Sequence, residues 1–293
     1  MKIVFIGSVN FSKSALEYLL KIGVDIAGVC TKKSNVGNSD SFDLGLISTP
    51  NRIPTLHTSN INSKESVDWI RELSPDYIFC LGWSQLLRGQ LLKVPRLGVI
   101  GYHPSILPQN RGRHPLIWAI ALGLSKTGST FFLIDEGVDS GDIVSQRTVE
   151  ILPEDNATSL YEKITEIALL QLSEIISQME ENSLKRKSQL TLKSNTWRKR
   201  TTQDGIIDWR MSAKNIHNLV RSLTYPYVGA QFVHYGETVK VWRSSILPDQ
   251  NPNFEPGKVV RLDELGVEIK CGEGILRIEV TEPPQWRPKG EYL

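Results

Sequence analysis

The stretch Gly101-Tyr-His-Pro-Ser-Ile-Leu-Pro-Gln-Asn-Arg-Gly-Arg113 holds the residue best suited to proton chemistry. His103 directly follows an apolar run, Leu97 to Tyr102, and Pro104 and Pro108 stiffen the chain behind it. An imidazole so placed can take up or release a proton near neutral pH, or it can be a satisfied structural histidine. A second stretch, Asp135-Glu-Gly-Val-Asp-Ser-Gly-Asp142, carries four acidic groups and two glycines. Glycine with aspartate is ordinary turn chemistry, so a solvated turn is one reading. A calcium loop fits poorly, because the D-x-D-x-D-G spacing is missing. In the functional reading one carboxylate approaches His103, orients the ring and favours its charged form.

The elements around these stretches predict how they are held. Lys2 to Ile6 reads as a strand, Gly7-Ser8 as a turn, and Phe11 to Ile22 as a helix with Ala15, Leu16, Leu19 and Leu20 on one face. Val24 to Cys30, Tyr77 to Leu81, Leu97 to Tyr102 and Ser129 to Ile134 read as further strands. Ser63 to Leu73, Arg113 to Leu122 and Asn156 to Glu180 read as helices, with Ser63 or Ser66 as a cap and Arg111-Gly112 opening the second of them. Lys32 to Ser48 reads as a loop. Strands alternating with helices imply an α/β fold, a Rossmann-like doubly wound and mostly parallel sheet, which binds ligands beyond its strand carboxyl ends. The first turn, GSVNFS, lacks the G-x-G-x-x-G of dinucleotide sites. After a basic stretch, Lys185 to Lys199, one helix (Ser212 to Ser222) precedes five short strands broken by turn residues. These imply a small C-terminal β-rich, OB-like barrel. The expected boundaries are a catalytic domain over 1–190, a linker over 191–204 and the small domain over 205–293.

Composition narrows the function. The chain of 293 residues has 34 basic and 32 acidic side chains, a net charge of +2, and so no general attraction to nucleic acid or an anionic membrane. Cys30, Cys80 and Cys271 form no CxxC pair, which argues against a disulfide framework or a cysteine zinc site and for buried thiols of the reducing cytoplasm. The apolar run at the N-terminus is too short for a signal peptide, and no stretch approaches the roughly 20 apolar residues of a membrane span.

HPSILPxxRG, from His103, resembles the HxSLLPxxRG signature of the folate-dependent formyltransferases. Their catalytic aspartate sits in a D-x-G turn, and Asp139-Ser-Gly follows His103 by 36 residues, the family's spacing. The resemblance implies a one-carbon transferase acting on an amino group, with His103, Asp139 and Ser105 as its catalytic set, 10-formyltetrahydrofolate as cosubstrate and no metal. It also implies a folate slot between Leu81–Leu87 and Gly137–Asp142, with Trp83, Gln85, Leu86, Leu87, Val138 and Asp142 as the binding residues. One position departs: the family's asparagine two residues before the histidine is Gly101 here. A backbone N–H or another donor, such as Asn110, must then serve in its place, or the chemistry is altered.

Asp204-Gly-Ile-Ile-Asp-Trp209, Leu219-Val-Arg221 and Val239-Lys-Val-Trp-Arg243 extend the likeness to the C-terminal region of the transfer-RNA and sugar enzymes, although Trp209 and Trp242 could simply be core. Three acceptor readings follow: a nucleotide-linked amino sugar, UDP-linked or similar; initiator methionyl-tRNA; or no turnover in a folate- or sugar-binding protein. Charge favours the sugar, because the Lys32–Ser48 loop sets Lys32 and Lys33 against Asp40 and Asp43, leaving no basic footprint there. Ser8, Asn10, Phe11 and Arg111 could line the acceptor side, and Arg198, Lys199 and Arg200 could meet phosphates. Apolar strands of the small domain could pair across a homodimer.

Overall fold

Ile3–Ile6 forms β1, four buried apolar residues between parallel neighbours. Helix α1 (Asn10–Lys21) turns Phe11, Ala15, Leu16 and Leu19 inward. Then follow β2 (Ile26–Thr31), α2 (Gly45–Ser48), β3 (Thr55–His57), α3 (Lys64–Glu72) and β4 (Tyr77–Cys80). Ser63 caps α3, its hydroxyl accepting from the Ser66 N–H. β5 (Gly98–His103) leads through β6 (Arg111–Gly112) to α4 (Pro115–Ala121), β7 (Lys126–Leu133), β8 (Ile143–Glu150), α5 (Ala157–Glu180) and β9 (Thr196–Trp197). α6 (Ala213–Ser222) then precedes β10 (Ala230–His234), β11 (Glu237–Leu247), β12 (Val259–Asp263), β13 (Gly266–Lys270) and β14 (Ile275–Glu282). This computed structural model describes residues 1–34, 40–189, 193–250 and 252–293.

The chain divides into two units. The first comprises Met1–Pro115, Thr127–Val149 and Glu162–Trp197, and the second Leu116–Lys126, Glu150–Tyr161 and Arg198–Leu293. In the first, seven strands run in the order β3-β2-β1-β4-β5-β7-β8. β3, β2, β1, β4 and β5 are parallel, and β7 pairs antiparallel to β5 through Gly101↔Phe132 and His103↔Thr130. This is the expected Rossmann-like sheet, and its strand order reverses between β1 and β4, where such sheets bind ligands. The two strand ends are drawn together: Ser12 Oγ donates to the Leu81 carbonyl at 2.6 Å, and the Ser8 N–H to the Gly82 carbonyl at 3.2 Å. A Cβ on Gly7 would stand 2.6 Å from the Leu81 carbonyl oxygen, so only glycine permits this approach.

In the second unit five antiparallel strands run β10-β11-β14-β13-β12, the β-rich region expected. Strand β10 pairs with Lys240 and Val241 of β11, and α6 lies against β11 and β14. Ile216, Leu219, Phe232, Val241, Ile269 and Leu276 form the core. Trp209 is buried there, edge-on to Phe232, whereas Trp242 is half-buried and its indole N–H donates to Glu282 at 3.3 Å.

Four local readings need correction. The Lys32–Ser48 loop ends in α2; its residues 35–39, like 190–192 of the expected linker, lie outside the described residues. Arg111-Gly112 does not open a helix but pairs as β6 with β9, and α4 starts at Pro115. β3 and β8 went unread. The first is three residues long, and Ile143–Glu150 buries only its ends, so it shows neither an apolar run nor alternation. Among the described residues, no helix is long and apolar enough to cross a membrane. All three cysteines are buried and free, and burial pushes the Cys80 thiol up to about 12.

Candidate active site

β5 delivers His103 at its carboxyl end, with 6% of the side chain exposed. Nε2–H donates to the Asn110 carbonyl at 2.8 Å. A carbonyl can only accept, so Nε2 keeps its proton and Nδ1 is the nitrogen free to gain or lose one. Nδ1 faces Asp139 Oδ2 at 3.6 Å. That distance suits an ion pair with the charged ring and is too long for a hydrogen bond. The Gly112 N–H donates to the same Oδ2 at 2.9 Å, which fixes the carboxylate. Asp139 itself sits in the left-handed region at φ 50°, a conformation that costs a non-glycine residue about 1 kcal/mol. β6 and the residue before it therefore bring the partner groups for two side chains distant in sequence.

Asp139 opens onto a cleft of about 130 Å³. Its walls include Trp83, Leu87, Gly101, Phe132 and Ile134. His103 is not among the lining residues and stands behind Asp139. A Cβ on Gly101 would come within 2.7 Å of Ile134 Cγ1 and 3.0 Å of Phe132 Cζ. The space beside Gly101 is thus already filled by hydrocarbon. Trp83, a wall residue, has its Nε1 buried and, among the described residues, without a protein partner. Buried donors without partners are rare, and in a cleft they mark a place for a ligand acceptor atom.

Two cations gather at the same loop. Lys32 Nζ stands 4.4 Å above the Trp83 ring and 3.2 Å from Ser84 Oγ, while Arg113 Nη1 donates to the Ser84 carbonyl at 2.8 Å. Burial, and then the Arg113 guanidinium, lower the Lys32 ammonium below the usual lysine range. Among the described residues neither cation has a carboxylate partner. Arg113 lies in the motif, yet sequence reading did not single it out, because only the fold brings it to Lys32.

The profile of the family described as Formyl transferase matches residues 1–176, and that of the Formyl transferase, C-terminal domain, matches residues 199–288. The chain belongs to the formyl transferase family. Formyl transferases move a formyl group onto an amine, and the family's donor is 10-formyltetrahydrofolate. A methionyl-tRNA formyltransferase of Geobacter metallireducens is 32% identical over 286 residues, covering 95% of this chain and 90% of that protein. Among solved structures, an N-formyltransferase from Helicobacter canadensis, in complex with folinic acid and dTDP-3-aminofucose, aligns with a TM-score of 0.73 at 20% identity over 95% of this chain and 99% of the other. WlaRD, a sugar 3N-formyl transferase crystallised with dTDP and 5-N-formyl-THF, aligns with a TM-score of 0.72 at 21% identity over 95% and 97%. At these identities the structures establish the shared fold.

The remaining expected site residues of this formyl transferase fall into three groups. Gln85, Leu86 and Leu87 line the cleft with Trp83, although the Gln85 amide is spent on the Ile61 N–H and the Ser59 carbonyl. Val138 and Asp142 are not among the cleft-lining residues; Val138 is exposed, and Asp142 accepts from the Ser188 hydroxyl at 2.9 Å. Ser105 is buried, its hydroxyl donating to the Gln109 carbonyl at 2.9 Å, so it braces the Pro104–Pro108 turn. Ser8 is buried, Asn10 donates through Nδ2 to Asp40 at 3.1 Å, and the Phe11 ring stacks 4.3 Å from Tyr102. Arg111 Nη2 donates to Gln189 Oε1 at 2.7 Å. Arg198, Lys199 and Arg200 belong to the second unit. There Arg198 forks onto Asp204, Arg200 is buried 4.7 Å from the Trp118 ring, and Lys199 is exposed.

Proposed function

We propose that this formyl transferase formylates the amine of a nucleotide-linked amino sugar, with Asp139 and His103 managing the amine's proton. Asp135 and Asp139 both line the cleft, but Asp135 is held by the Gly137 N–H and the Ser140 hydroxyl, whereas Asp139 faces an imidazole and so is the one placed to pass on the amine's proton. His103 Nδ1 lies behind it as the next proton site, and the imidazolium so formed is stabilised by the carboxylate it faces. The folate supplies the formyl carbon that the amine attacks. Leu87, Phe132 and Ile134 offer its flat ring apolar walls, and Trp83 Nε1 offers one hydrogen bond, so the residues present fit it. Lys32 and Arg113, which among the described residues have no carboxylate partner, suit the acceptor's phosphates better than Arg198, whose guanidinium is engaged by Asp204.

The observation that carries the sugar reading is the pairing of five of the second unit's eight arginines. Arg198, Arg210, Arg243, Arg261 and Arg277 each meet a carboxylate. A transfer-RNA face draws its affinity from cations free to displace counterions, and these are already neutralised. The expected substrate-binding role of Arg198–Arg200 weakens on the same ground. A second reading, methionyl-tRNA as acceptor, is favoured by relatives at 32% identity that carry that name. Incubation with 10-formyltetrahydrofolate and a panel of UDP- and dTDP-linked amino sugars, read by mass spectrometry, tests the first. A formyl mass gain on a sugar supports it. Formylation of initiator methionyl-tRNA, with every sugar left unchanged, would replace it with the second.

A further inference from the structure

Gln189 does not belong to either matched family region, which end at 176 and resume at 199. Its side chain nevertheless reaches the turn that carries Asp139. The Gln189 amide donates to the Asp139 carbonyl at 2.9 Å and to the Gly141 carbonyl at 2.7 Å, while its Oε1 accepts from Arg111 Nη2 at 2.7 Å. Its two predecessors bind the same turn. Ser188 Oγ donates to Asp142 Oδ1 at 2.9 Å, and Lys187 exchanges two backbone hydrogen bonds with Ile143 at 2.8 and 2.9 Å. Further on, the Asn195 carbonyl accepts from the Arg111 N–H at 3.1 Å, and Asn195 Oδ1 from the Asn110 N–H at 2.8 Å.

We infer that Gln189 is a positioning residue for formyl transfer, a clamp that spans the Asp139 turn and the β6 strand and so sets the Asp139–His103 separation. Two loops must keep their register for the pair to form. The Asn110 carbonyl holds the ring, the Gly112 N–H holds the carboxylate, and Arg111 lies between them. Gln189 is the side chain that joins Arg111 to the other loop, at Asp139 itself. It also anchors the backbone of a residue in a left-handed conformation that the chain would leave if released. The carbonyls it binds lie on Asp139 and Gly141, so it steers the carboxylate without touching the cleft. An amide is the group for this task, since it donates twice from nitrogen and accepts on oxygen.

The inference rests on the reading of Asp139 and His103 as the proton pair, and the test separates the two. Gln189→Met keeps the side chain's length and removes all three hydrogen bonds. Gln189→Glu keeps the Arg111 contact and removes both donors. The His103 ring signals are recorded by NMR at one pH in the wild-type protein, Asp139→Asn and Gln189→Met, with His103→Gln used to assign them. Steady-state kinetics follow with 10-formyltetrahydrofolate and an amine acceptor that the mass assay identifies. The expected result is that the His103 ring signals move in Gln189→Met as they do in Asp139→Asn, because the carboxylate drifts from the ring. A kcat loss of roughly 10- to 100-fold in both Gln189 variants should accompany it, with KM and Tm near wild type. His103 ring signals in Gln189→Met that coincide with wild type, or a Gln189→Glu kcat within about twofold of it, would overturn the clamp. So would a kcat loss that merely tracks a fall in Tm. If Asp139→Asn retained full turnover, the proton-pair reading would fail instead.

Discussion

Two arginine-rich segments of this chain carry charge in opposite ways. Along 111–113, Arg113 is bound to a carbonyl and lies near Lys32, and Arg111 Nε is buried and, among the described residues, without a protein partner. Along 198–210, Arg198 forks onto Asp204, and Arg210 meets Asp208 at 2.6 Å. The hydrogen bond from Arg210 pulls the Asp208 carboxyl down to about 2. The first segment leaves polar groups for something outside the chain to satisfy, while the second completes its own neutralisation. The indole nitrogen of Trp83 in the first unit and that of Trp242 in the second repeat the contrast, one unpartnered in a cleft and the other bound to Glu282. Buried polar groups cost free energy unless paired, so a cluster of them in one place indicates where binding restores the balance.

This contrast can be broken by substitutions on either side. Asp139→Asn should lower kcat roughly 10³-fold, about 4 kcal/mol of transition-state stabilisation, with little change in Tm. Steady-state kinetics beside a thermal melt check it, and near-normal turnover would remove Asp139 from the chemistry. Trp209→Ala should do the reverse, costing about 3–5 kcal/mol of stability through the cavity left in the second core. Denaturant unfolding reads that loss, and a variant as stable as wild type would show that the core relaxes around the gap. Trp83→Phe keeps an aromatic side chain, though a smaller one, and deletes the indole donor. It should raise the KM for 10-formyltetrahydrofolate roughly tenfold, the value of one buried hydrogen bond, and an unchanged KM would mean that the indole N–H meets no ligand atom.

Smaller effects come from the paired groups. Burial, and then the Arg221 guanidinium, lower the pKa of His217 from its usual 6.5. A depressed histidine is protonated more readily in the unfolded chain, so its contribution is complete above pH 6.5 and declines as the pH falls below it. Melts across that range should show a decline in the wild-type protein that His217→Gln reduces; parallel curves would assign it to other groups. Arg198→Ala removes one end of an exposed ion pair and should shift stability by about 1 kcal/mol or less. If it instead raised the acceptor KM tenfold, phosphate binding would return to the second unit and the contrast would fail.

The pattern of residues and the tertiary arrangement contributed different things. β1, β4 and β5 are visible as apolar runs, and α1 and α6 as helical periodicity, because burial on a regular element leaves a repeating trace in sequence. His103 and Asp139 are legible for a similar local reason, each sitting where a strand gives way to a turn of proline or glycine. β8 left no such trace, since only its ends are buried. The groups that aim the pair are invisible in one dimension. The Asn110 carbonyl and the Gly112 N–H are backbone atoms, whose partners no side-chain type announces, and Gln189 stands 50 residues from the turn it holds. Lys32 and Arg113 likewise become a pair only when the ends of β2 and β6 are set around one loop. Sequence by itself thus determines which groups can carry a proton. The folded chain decides which atoms face them, because hydrogen bonding depends on distance and direction between segments that have no fixed separation along the chain.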